Sequence, residues 1–147
     1  MELEAADRAF LEQHPSAAMI TLRPDGTPHA VRVAVGLVDG RLLSSATPER
    51  ARTRHLRRDP RCTLFVFDSA WSYLTLETEA TILEGPQVPD LSLRLFRTMQ
   101  ALRTPPPQPG TVLWEGRALP EDEFLRVMVA ERRLLYEFEV RRAYGLH

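Results

Sequence analysis

Apolar residues along the first third of the chain recur first at helical spacing and then at strand spacing. The segment LEAADRAFLEQ has its apolar side chains on one side of a helix, which predicts a helix over residues 3 to 13 that ends before the His14-Pro15 step. Three strand-like runs follow, and the turn signals PDGT and VDG separate them. They cover residues 17 to 23, 29 to 38 and 41 to 46 and predict a three-stranded antiparallel meander.

The rest of the chain alternates between helical and strand patterns. Thr47 followed by Pro48 predicts the N-cap and first residue of a helix, and Asp59-Pro60 predicts its end. The further predicted strands are 62 to 67, 73 to 85 and 134 to 140, the further helices are 91 to 103 and 120 to 133, and 104 to 110 is a proline-rich loop.

Six strands with helices at a few insertions predict an α+β fold in which an antiparallel sheet closes as a barrel. The chain has 147 residues and no internal repeat, so we expect one domain over residues 1 to 147.

Composition narrows the possible partners. The chain is 44% hydrophobic and 27% charged with a net charge of -1, and no apolar run approaches the roughly 20 residues that span a membrane, so we expect a cytoplasmic protein without a membrane partner. The single cysteine, Cys62, lies in an apolar run and is expected to be buried and inert. The four histidines show no metal-ligand spacing, so no metal site is expected.

The segment PERARTRHLRRDPR, residues 48 to 61, holds six arginines. It follows a strand through the hydroxyl residues Ser44, Ser45 and Thr47, and a helix start with nearby arginines suits a phosphate. A solvated surface helix explains the same pattern about as well. Nucleic acid is disfavoured, because acidic residues cancel the charge elsewhere and no DNA-binding pattern is present. All nineteen basic residues are arginine, so an arginine here can stand where related proteins carry lysine.

The runs ATPERARTRHLRRDPRCTLFV, AWSYLTLETEATI and MVAERRLLYEFEVRRAYGL resemble the split-barrel proteins related to pyridoxamine 5'-phosphate oxidase, and within them the branch that uses the deazaflavin coenzyme F420. The resemblance covers nearly the whole chain. It implies a six-stranded antiparallel split β-barrel of the FMN-binding type with flanking helices. It also implies coenzyme F420 as the cofactor, with FMN as the alternative, and a homodimer with its cofactor cleft at the subunit interface.

The resemblance also assigns roles to residues. The strand-to-helix junction would hold the cofactor phosphate or tail, Arg50 and Arg52 would contact that phosphate, and the strand from His29 to Val33 would lie against the ring system. His55 stands where the family usually has asparagine. The residues implied in cofactor binding are Ser44, Ser45, Ala46, Thr47, Arg50, Arg52, His55, Trp71, Ser72, Arg133, His29, Val31 and Val33, with Trp71 and Ser72 supplied by the partner subunit.

Purely structural roles remain open for several of these residues. Trp71 could be a core residue, Arg133 a charge that complements a helix end, and Val31 and Val33 barrel filling. Arg32 in the same strand either reaches solvent at the rim, which we favour, or faces the cleft to dock an anionic substrate.

The implied chemistry is hydride transfer between the reduced deazaflavin and a small-molecule acceptor. The chain offers no Ser-His-Asp or Cys-His set, its catalytic residues stay unassigned, and the candidates for a proton donor are His29, Tyr73 and solvent. Three hypotheses follow: an F420-dependent reductase, an FMN enzyme such as an oxidase of a phosphorylated pyridoxamine-like substrate, and a non-catalytic cofactor carrier.

Overall fold

The computed structural model describes residues 1 to 147 and contains four helices and nine strands. The helices are α1 (Ala5–Gln13), α2 (Ala51–Arg58), α3 (Val88–Gln100) and α4 (Glu121–Ala130). The strands are β1 (Ser16–Leu22), β2 (Pro28–Ala34), β3 (Gly36–Val38), β4 (Arg41–Ala46), β5 (Arg61–Phe67), β6 (Tyr73–Leu83), β7 (Thr111–Trp114), β8 (Arg117–Pro120) and β9 (Leu134–Leu146).

Seven strands form one antiparallel sheet in the order β2-β1-β5-β6-β9-β4-β3. Its two edge strands, β2 and β3, are separated along the chain by Val35 alone, so the sheet has to curl until its edges approach each other. The Ser44 hydroxyl of β4 donates a hydrogen bond of 2.7 Å to the Ala34 carbonyl at the end of β2 and so links the two sides. The predicted α+β split barrel is confirmed, with seven strands in its sheet where six were expected.

The predicted meander is wrong. β2 pairs with β1 and β3 pairs with β4, but these two hairpins lie at opposite edges of the sheet. The predicted strand over 29 to 38 is interrupted at Val35, which is buried in the core and donates its N–H to the Pro15 carbonyl. An apolar run on its own does not show that the chain changes sheet edge in its middle.

The start of α2 also differs from the prediction. Thr47 and Pro48 belong to a turn, and the N-cap is Arg50. The Thr47 side chain makes no cap, while its carbonyl accepts hydrogen bonds from Arg50 N at 3.4 Å and from Thr53 Oγ1 at 2.8 Å. Arg50 therefore stands at the helix entrance, and Arg52 lies in the first turn.

Other element boundaries differ from the predicted ones by a few residues. β9 continues to Leu146, six residues beyond its predicted end, and it pairs along the whole of β6 with a bulge at Glu77 and Thr78. The hairpin of β7 and β8 was not predicted, because strands of four residues are too short for a clear alternation. Its turn has positive φ at Glu115 and Gly116, as a two-residue hairpin loop requires.

Successive side chains of β4 and β9 point alternately into the barrel and away from it, so they pack in two different hydrophobic clusters. Inward side chains such as Leu42 and Tyr136 join the main core inside the barrel, where α1 adds Phe10 and Leu11 and α2 adds Leu56. On the outer surface, α3 covers Leu43 and Leu135. A third cluster packs α3 and α4 against the β7-β8 hairpin.

No helix covers the outer surface of the sheet where β5, β6 and the end of β9 meet. Phe65 stacks between Phe67 and Tyr73 there, with ring centroids 5.5 and 5.4 Å apart. We call this surface the outer apolar face; its residues are Phe65, Phe67, Trp71, Tyr73, Tyr144 and Leu146. None of the four helices combines the length and the apolar character that crossing a membrane requires.

Candidate functional site

Three arginines lie close together where α2 begins at one end of the barrel. We call Arg50, Arg52 and Arg133 the arginine cluster. Removal from water lowers the pKa of the Arg52 guanidinium, and the charges of Arg50 and Arg133 lower that pKa further. Arginine stays protonated in proteins, so Arg52 is a half-buried cation beside two others.

Arg52 has no acidic partner. Its buried Nε has no hydrogen-bond partner, and the Tyr136 hydroxyl, which raises the pKa of Arg52, only partly opposes the effect of burial on that pKa. A buried cation without a counterion is costly and therefore uncommon. An anionic ligand at this point would supply both the missing charge and the missing acceptor.

The other arginines of the segment have partners within the chain. Arg54 donates to the Glu49 carbonyl at 2.8 Å and Arg58 donates to the Leu22 carbonyl. Arg57 pairs with Glu84 at 2.7 Å, and Arg61 pairs with Asp59 at 2.8 Å, which lowers the pKa of Asp59 to about 2. The solvated-face interpretation describes these four residues and leaves Arg50 and Arg52 for a ligand.

A polar cavity of about 650 Å³ opens beside the arginine cluster. It is lined by Thr47, Glu49, Arg50, Glu115, Ala130, Glu131, Arg132 and Arg133. The Arg133 side chain is 13% exposed, pairs with Glu131 at 2.9 Å, and lies 4.7 Å from the centre of the Trp114 ring. It follows α4 rather than ending it, and these contacts hold it in the cavity wall.

The residues predicted at the strand-to-helix junction do not all face the same way. Ser44 is 1% exposed with its hydroxyl committed to Ala34, and Ala46 is fully buried, so both side chains are directed into the barrel. Ser45 lies on the opposite surface of β4, and its buried Oγ has no partner. Thr47 reaches the cavity. The structure therefore brings Thr47 together with the arginine cluster but not Ser44 or Ala46.

A pair of histidines lies at the same end of the barrel. The rings of His29 and His55 meet edge to face with centroids 4.9 Å apart, and His55 Nδ1 lies 2.8 Å from Thr21 Oγ1. Removal from water lowers the pKa of His55, and the charges of His29, Arg58, Arg23 and Arg54 lower that pKa further. His29 Nδ1 is buried without a partner.

The other β2 residues considered in the sequence analysis lie on opposite faces of the strand. Val31 and Val33 point into the barrel, where Val33 belongs to the main core and Val31 packs against it, which agrees with barrel filling. Arg32 is exposed on the opposite face, and its Nε donates to Ser16 Oγ at 2.9 Å, so the rim orientation is confirmed.

Trp71 and Ser72 lie at the far end of the barrel. Trp71 is 89% exposed, so the core interpretation of this residue is wrong. Nine positions of β6 separate Tyr73 from Ile82, which pairs with Tyr136 beside Arg52; at ~3.3 Å per residue this is roughly 30 Å. Within one chain, Trp71 and Tyr73 therefore cannot share a site with the arginine cluster and His29.

Sequence reasoning missed Thr53 and Tyr136. Both side chains are fully buried, and their hydroxyls are hydrogen-bonded to each other next to Arg52. Tyr136 occupies an inward position of an apolar strand pattern, where a tyrosine resembles ordinary core. Its hydroxyl needs a buried partner, and that requirement was the available signal. Cys62 is buried as predicted, and removal from water raises the pKa of its thiol to about 12.

Comparison with solved structures places the fold among known proteins. A conserved hypothetical protein from Mycobacterium tuberculosis is 19% identical with a TM-score of 0.73, and the match covers 99% of this chain and 85% of that chain. An F420 reductase is 18% identical with a TM-score of 0.65, covering 93% and 94%. A heme binding protein from Mycobacterium smegmatis is 16% identical with a TM-score of 0.62, covering 99% and 55%. At these identities the likeness concerns the fold.

The sequence itself matches a family profile. The profile described as pyridoxamine 5'-phosphate oxidase matches residues 3–136, which include every strand of the barrel at least in part and the whole arginine segment. Because that match covers most of the chain, the protein belongs to the pyridoxamine 5'-phosphate oxidase family.

Proposed function

We propose that the protein is a coenzyme F420-dependent oxidoreductase that transfers a hydride between the reduced deazaflavin and a small-molecule acceptor. The observation that carries the proposal is the half-buried Arg52, whose Nε has no partner and whose charge has no counterion. Membership of a family described by an oxidase, and a fold shared with an F420 reductase, support a redox cofactor as the ligand.

The entrance of α2 has the donors that a phosphate requires. The first helical hydrogen bonds are donated by Thr53 N and Arg54 N to the Arg50 carbonyl, at 3.1 and 3.3 Å. The N–H groups of Ala51 and Arg52 precede these bonds and have no partner within the helix. Together with the guanidinium groups of Arg50 and Arg52, they would hold a phosphate by charge-assisted hydrogen bonds.

The cavity wall carries charges of both signs. Arg132 lies beyond Arg50 without an ion pair, whereas Arg133 is paired with Glu131, and Glu49 and Glu115 also line the cavity. The tail of coenzyme F420 carries more negative charge than the single phosphate of FMN and would use Arg132 as well as Arg50. FMN remains the alternative cofactor, because Arg50 and Arg52 suit its phosphate equally well.

The histidine pair lies where the ring system would enter the barrel end. When bound, the reduced deazaflavin supplies the hydride, and the protein contributes placement and electrostatics. The lowered pKa of His55 favours the neutral form of its ring, and the contact with Thr21 fixes the orientation of the ring against His29. His29 has a ring nitrogen without a partner and lies at the same end of the barrel as Arg52. It is therefore our candidate to donate the proton that the acceptor takes up along with the hydride.

A second subunit would complete the site. The outer apolar face exposes several large apolar side chains and borders a cavity of about 470 Å³. A continuous exposed apolar surface of this kind is unusual for a monomer. Pairing two copies would cover this face and bring Trp71 and Ser72 of one copy to the arginine cluster of the other. We therefore propose a homodimer with two cofactor clefts at its interface.

Titration of the purified protein with each cofactor tests the proposal. We expect coenzyme F420 to bind at least about tenfold more tightly than FMN, a difference of about 1.4 kcal/mol. Equal or reversed affinities would favour the FMN enzyme.

The same preparation distinguishes an enzyme from a carrier. Reduced F420 is mixed with a panel of acceptors that contain conjugated or polarised double bonds, and its oxidation is followed by absorbance with protein-free samples as the control. Protein-dependent oxidation supports the reductase. Tight binding with no oxidation by any acceptor would point to the carrier.

A further inference from the structure

Three residues other than glycine adopt a positive φ, a backbone conformation that L side chains rarely take. They are Asp39 at 51°, Glu115 at 49° and Arg132 at 52°. Glycine adopts this conformation without a steric penalty, so a larger residue there lowers stability unless its side chain contributes something else. Two of the three, Glu115 and Arg132, line the cavity beside the arginine cluster.

The turn at Asp39 shows what such a residue does for the fold. Asp39 and Gly40 form the two-residue loop of the β3-β4 hairpin, and Asp-Gly is a favoured pair in a loop of this kind. The Asp39 carboxylate also pairs with Arg94 of α3. Its side chain therefore links the turn to the helix that covers the sheet.

Glu115 has no comparable structural role. Glu115 and Gly116 form the same kind of loop in the β7-β8 hairpin, but glutamate is not among the residues that favour its first position. The Glu115 side chain is exposed and makes no hydrogen bond or ion pair within the chain. Its carboxylate is therefore free to accept a hydrogen bond from a ligand.

Arg132 occupies a position after α4 where helices commonly end with glycine. Its side chain is exposed and also has no partner within the chain. A cation near the C-terminus of a helix is favourable, but a residue in the last turn of α4 could supply that charge without a positive φ. The fold therefore gives no reason for an arginine at this particular position.

Contacts between the neighbours of these two residues hold them at the same part of the cavity wall. Trp114 directly precedes Glu115, and the Arg133 guanidinium carbon lies 4.7 Å from the centre of the Trp114 ring. Trp114 is buried and packs edge to face against Phe124 of α4, with ring centroids 5.8 Å apart. The hairpin turn and the end of α4 thus present one carboxylate and one guanidinium to one cavity.

We propose that Arg132 and Glu115 are specificity-determining residues that bind the part of the cofactor beyond its phosphate. The inference rests on the proposed function, in which Arg50 and Arg52 hold that phosphate. Arg132 contacts an anionic group of the tail, and Glu115 accepts a hydrogen bond from a neighbouring N–H or O–H group. The tail is therefore an acid that also carries an amide or hydroxyl donor, and both positive-φ residues serve binding at the expense of stability.

Replacing each residue with glycine tests binding and stability together. Arg132→Gly should weaken binding of F420 by about threefold to tenfold, because an exposed contact between charged groups is lost. Binding of FMN, which ends at its phosphate, should change by less than about twofold. The midpoint of urea unfolding should be no lower than that of the wild type, since glycine favours a positive φ.

Glu115→Gly should weaken binding of F420 by about twofold to fivefold, because the tail loses one hydrogen-bond acceptor. Its effect on FMN binding and on the urea midpoint should resemble that of Arg132→Gly.

Two control variants separate ligand binding from backbone and charge effects. Asp39→Gly makes the same backbone change at a turn outside the cavity and should leave the affinity for both cofactors unchanged. Arg132→Lys keeps the positive charge and the positive φ, so it should retain most of the F420 affinity that Arg132→Gly loses.

The outcomes distinguish the inference from the function on which it rests. If the wild-type protein prefers F420 to FMN and both glycine variants keep that preference, the inference is overturned alone. A lower urea midpoint with unchanged F420 binding would assign Arg132 to the stability of α4 instead. Tighter F420 binding by Glu115→Gly would show that this carboxylate repels the tail, which overturns its role as an acceptor. If the wild type does not prefer F420, the proposed function and the inference both fail.

Discussion

Arg52 carries a positive charge that the fold partly buries and does not neutralise. Folding gains nothing from such a charge, since a hydrophobic side chain of similar volume would be at least as stable there. Four neighbouring arginines show what the fold does when it uses this residue type structurally, because each has an acceptor within the chain. The contrast is the residue-level reason to assign Arg52 a ligand.

The sequence contained part of this information. The density of arginines predicted an anion site, and the resemblance singled out Arg50 and Arg52. Partners such as Glu84 for Arg57 and Leu22 for Arg58 are 27 and 36 residues away along the chain, so no local pattern could reveal them. The hydrogen bond between the hydroxyls of Thr53 and Tyr136 was hidden for the same reason, since the two residues are 83 positions apart.

His55 provides a prediction about pH. Its pKa is lowered in the folded protein, so below the ordinary histidine value of 6.5 the unfolded chain binds more protons than the folded one. Stability should therefore fall as the pH drops below 6.5. His55→Asn keeps a polar group near Thr21 and should lose less stability over the same interval.

Urea unfolding of both proteins at pH 8 and pH 5.5 measures this effect, and the difference between the variants removes the contribution of other titrating groups. Equal losses of unfolding free energy between pH 8 and pH 5.5 in the two proteins would show that the fold does not favour the neutral form of His55.

At the scale of elements, the entrance of α2 was predicted three residues too early. Thr-Pro is a frequent helix start, but the Thr47 carbonyl is used by the turn and by Thr53, which delays the helix. The delay places Arg50, which lines the cavity, at the N-cap. The end of α4 has a related feature, since Arg132 adopts a φ of 52° where glycine is preferred. Both helix ends thus present arginines to one cavity.

At the scale of the whole molecule, the pattern of strands predicted the barrel but not its connections. Alternation shows which residues face inward, and nearly all predicted strands exist. Pairing partners depend on contacts between distant segments, which explains why the meander was wrong and the crossing at Val35 was missed. The outer apolar face arises from strands that are far apart in sequence, so only the structure shows that Trp71, Tyr144 and Leu146 share it.

This face predicts a homodimer. We expect light scattering at micromolar concentration to give twice the mass of the chain, because twofold pairing would cover the exposed aromatic residues. Trp71→Asp should shift the protein toward monomer and weaken cofactor binding, since it places a charge in the apolar contact.

Leu102→Asp is the matched control, as Leu102 is an exposed apolar residue outside the outer apolar face and should leave the dimer intact. A monomeric wild-type protein would remove both the proposed dimer and the role of Trp71 as a residue from the partner.

The most direct test of the central claim compares Arg52→Ala with Arg57→Ala in cofactor titrations at moderate salt. Both remove an arginine from α2, but Arg57 is paired with Glu84 on the surface, whereas Arg52 lacks a counterion. We expect Arg52→Ala to weaken binding by roughly 1.5 to 3 kcal/mol through loss of a charge-assisted contact, and Arg57→Ala to stay within about 0.5 kcal/mol of the wild type. Equally mild effects of both substitutions would contradict the phosphate site, and graded losses at every arginine with a steep salt dependence would indicate a polyanion instead.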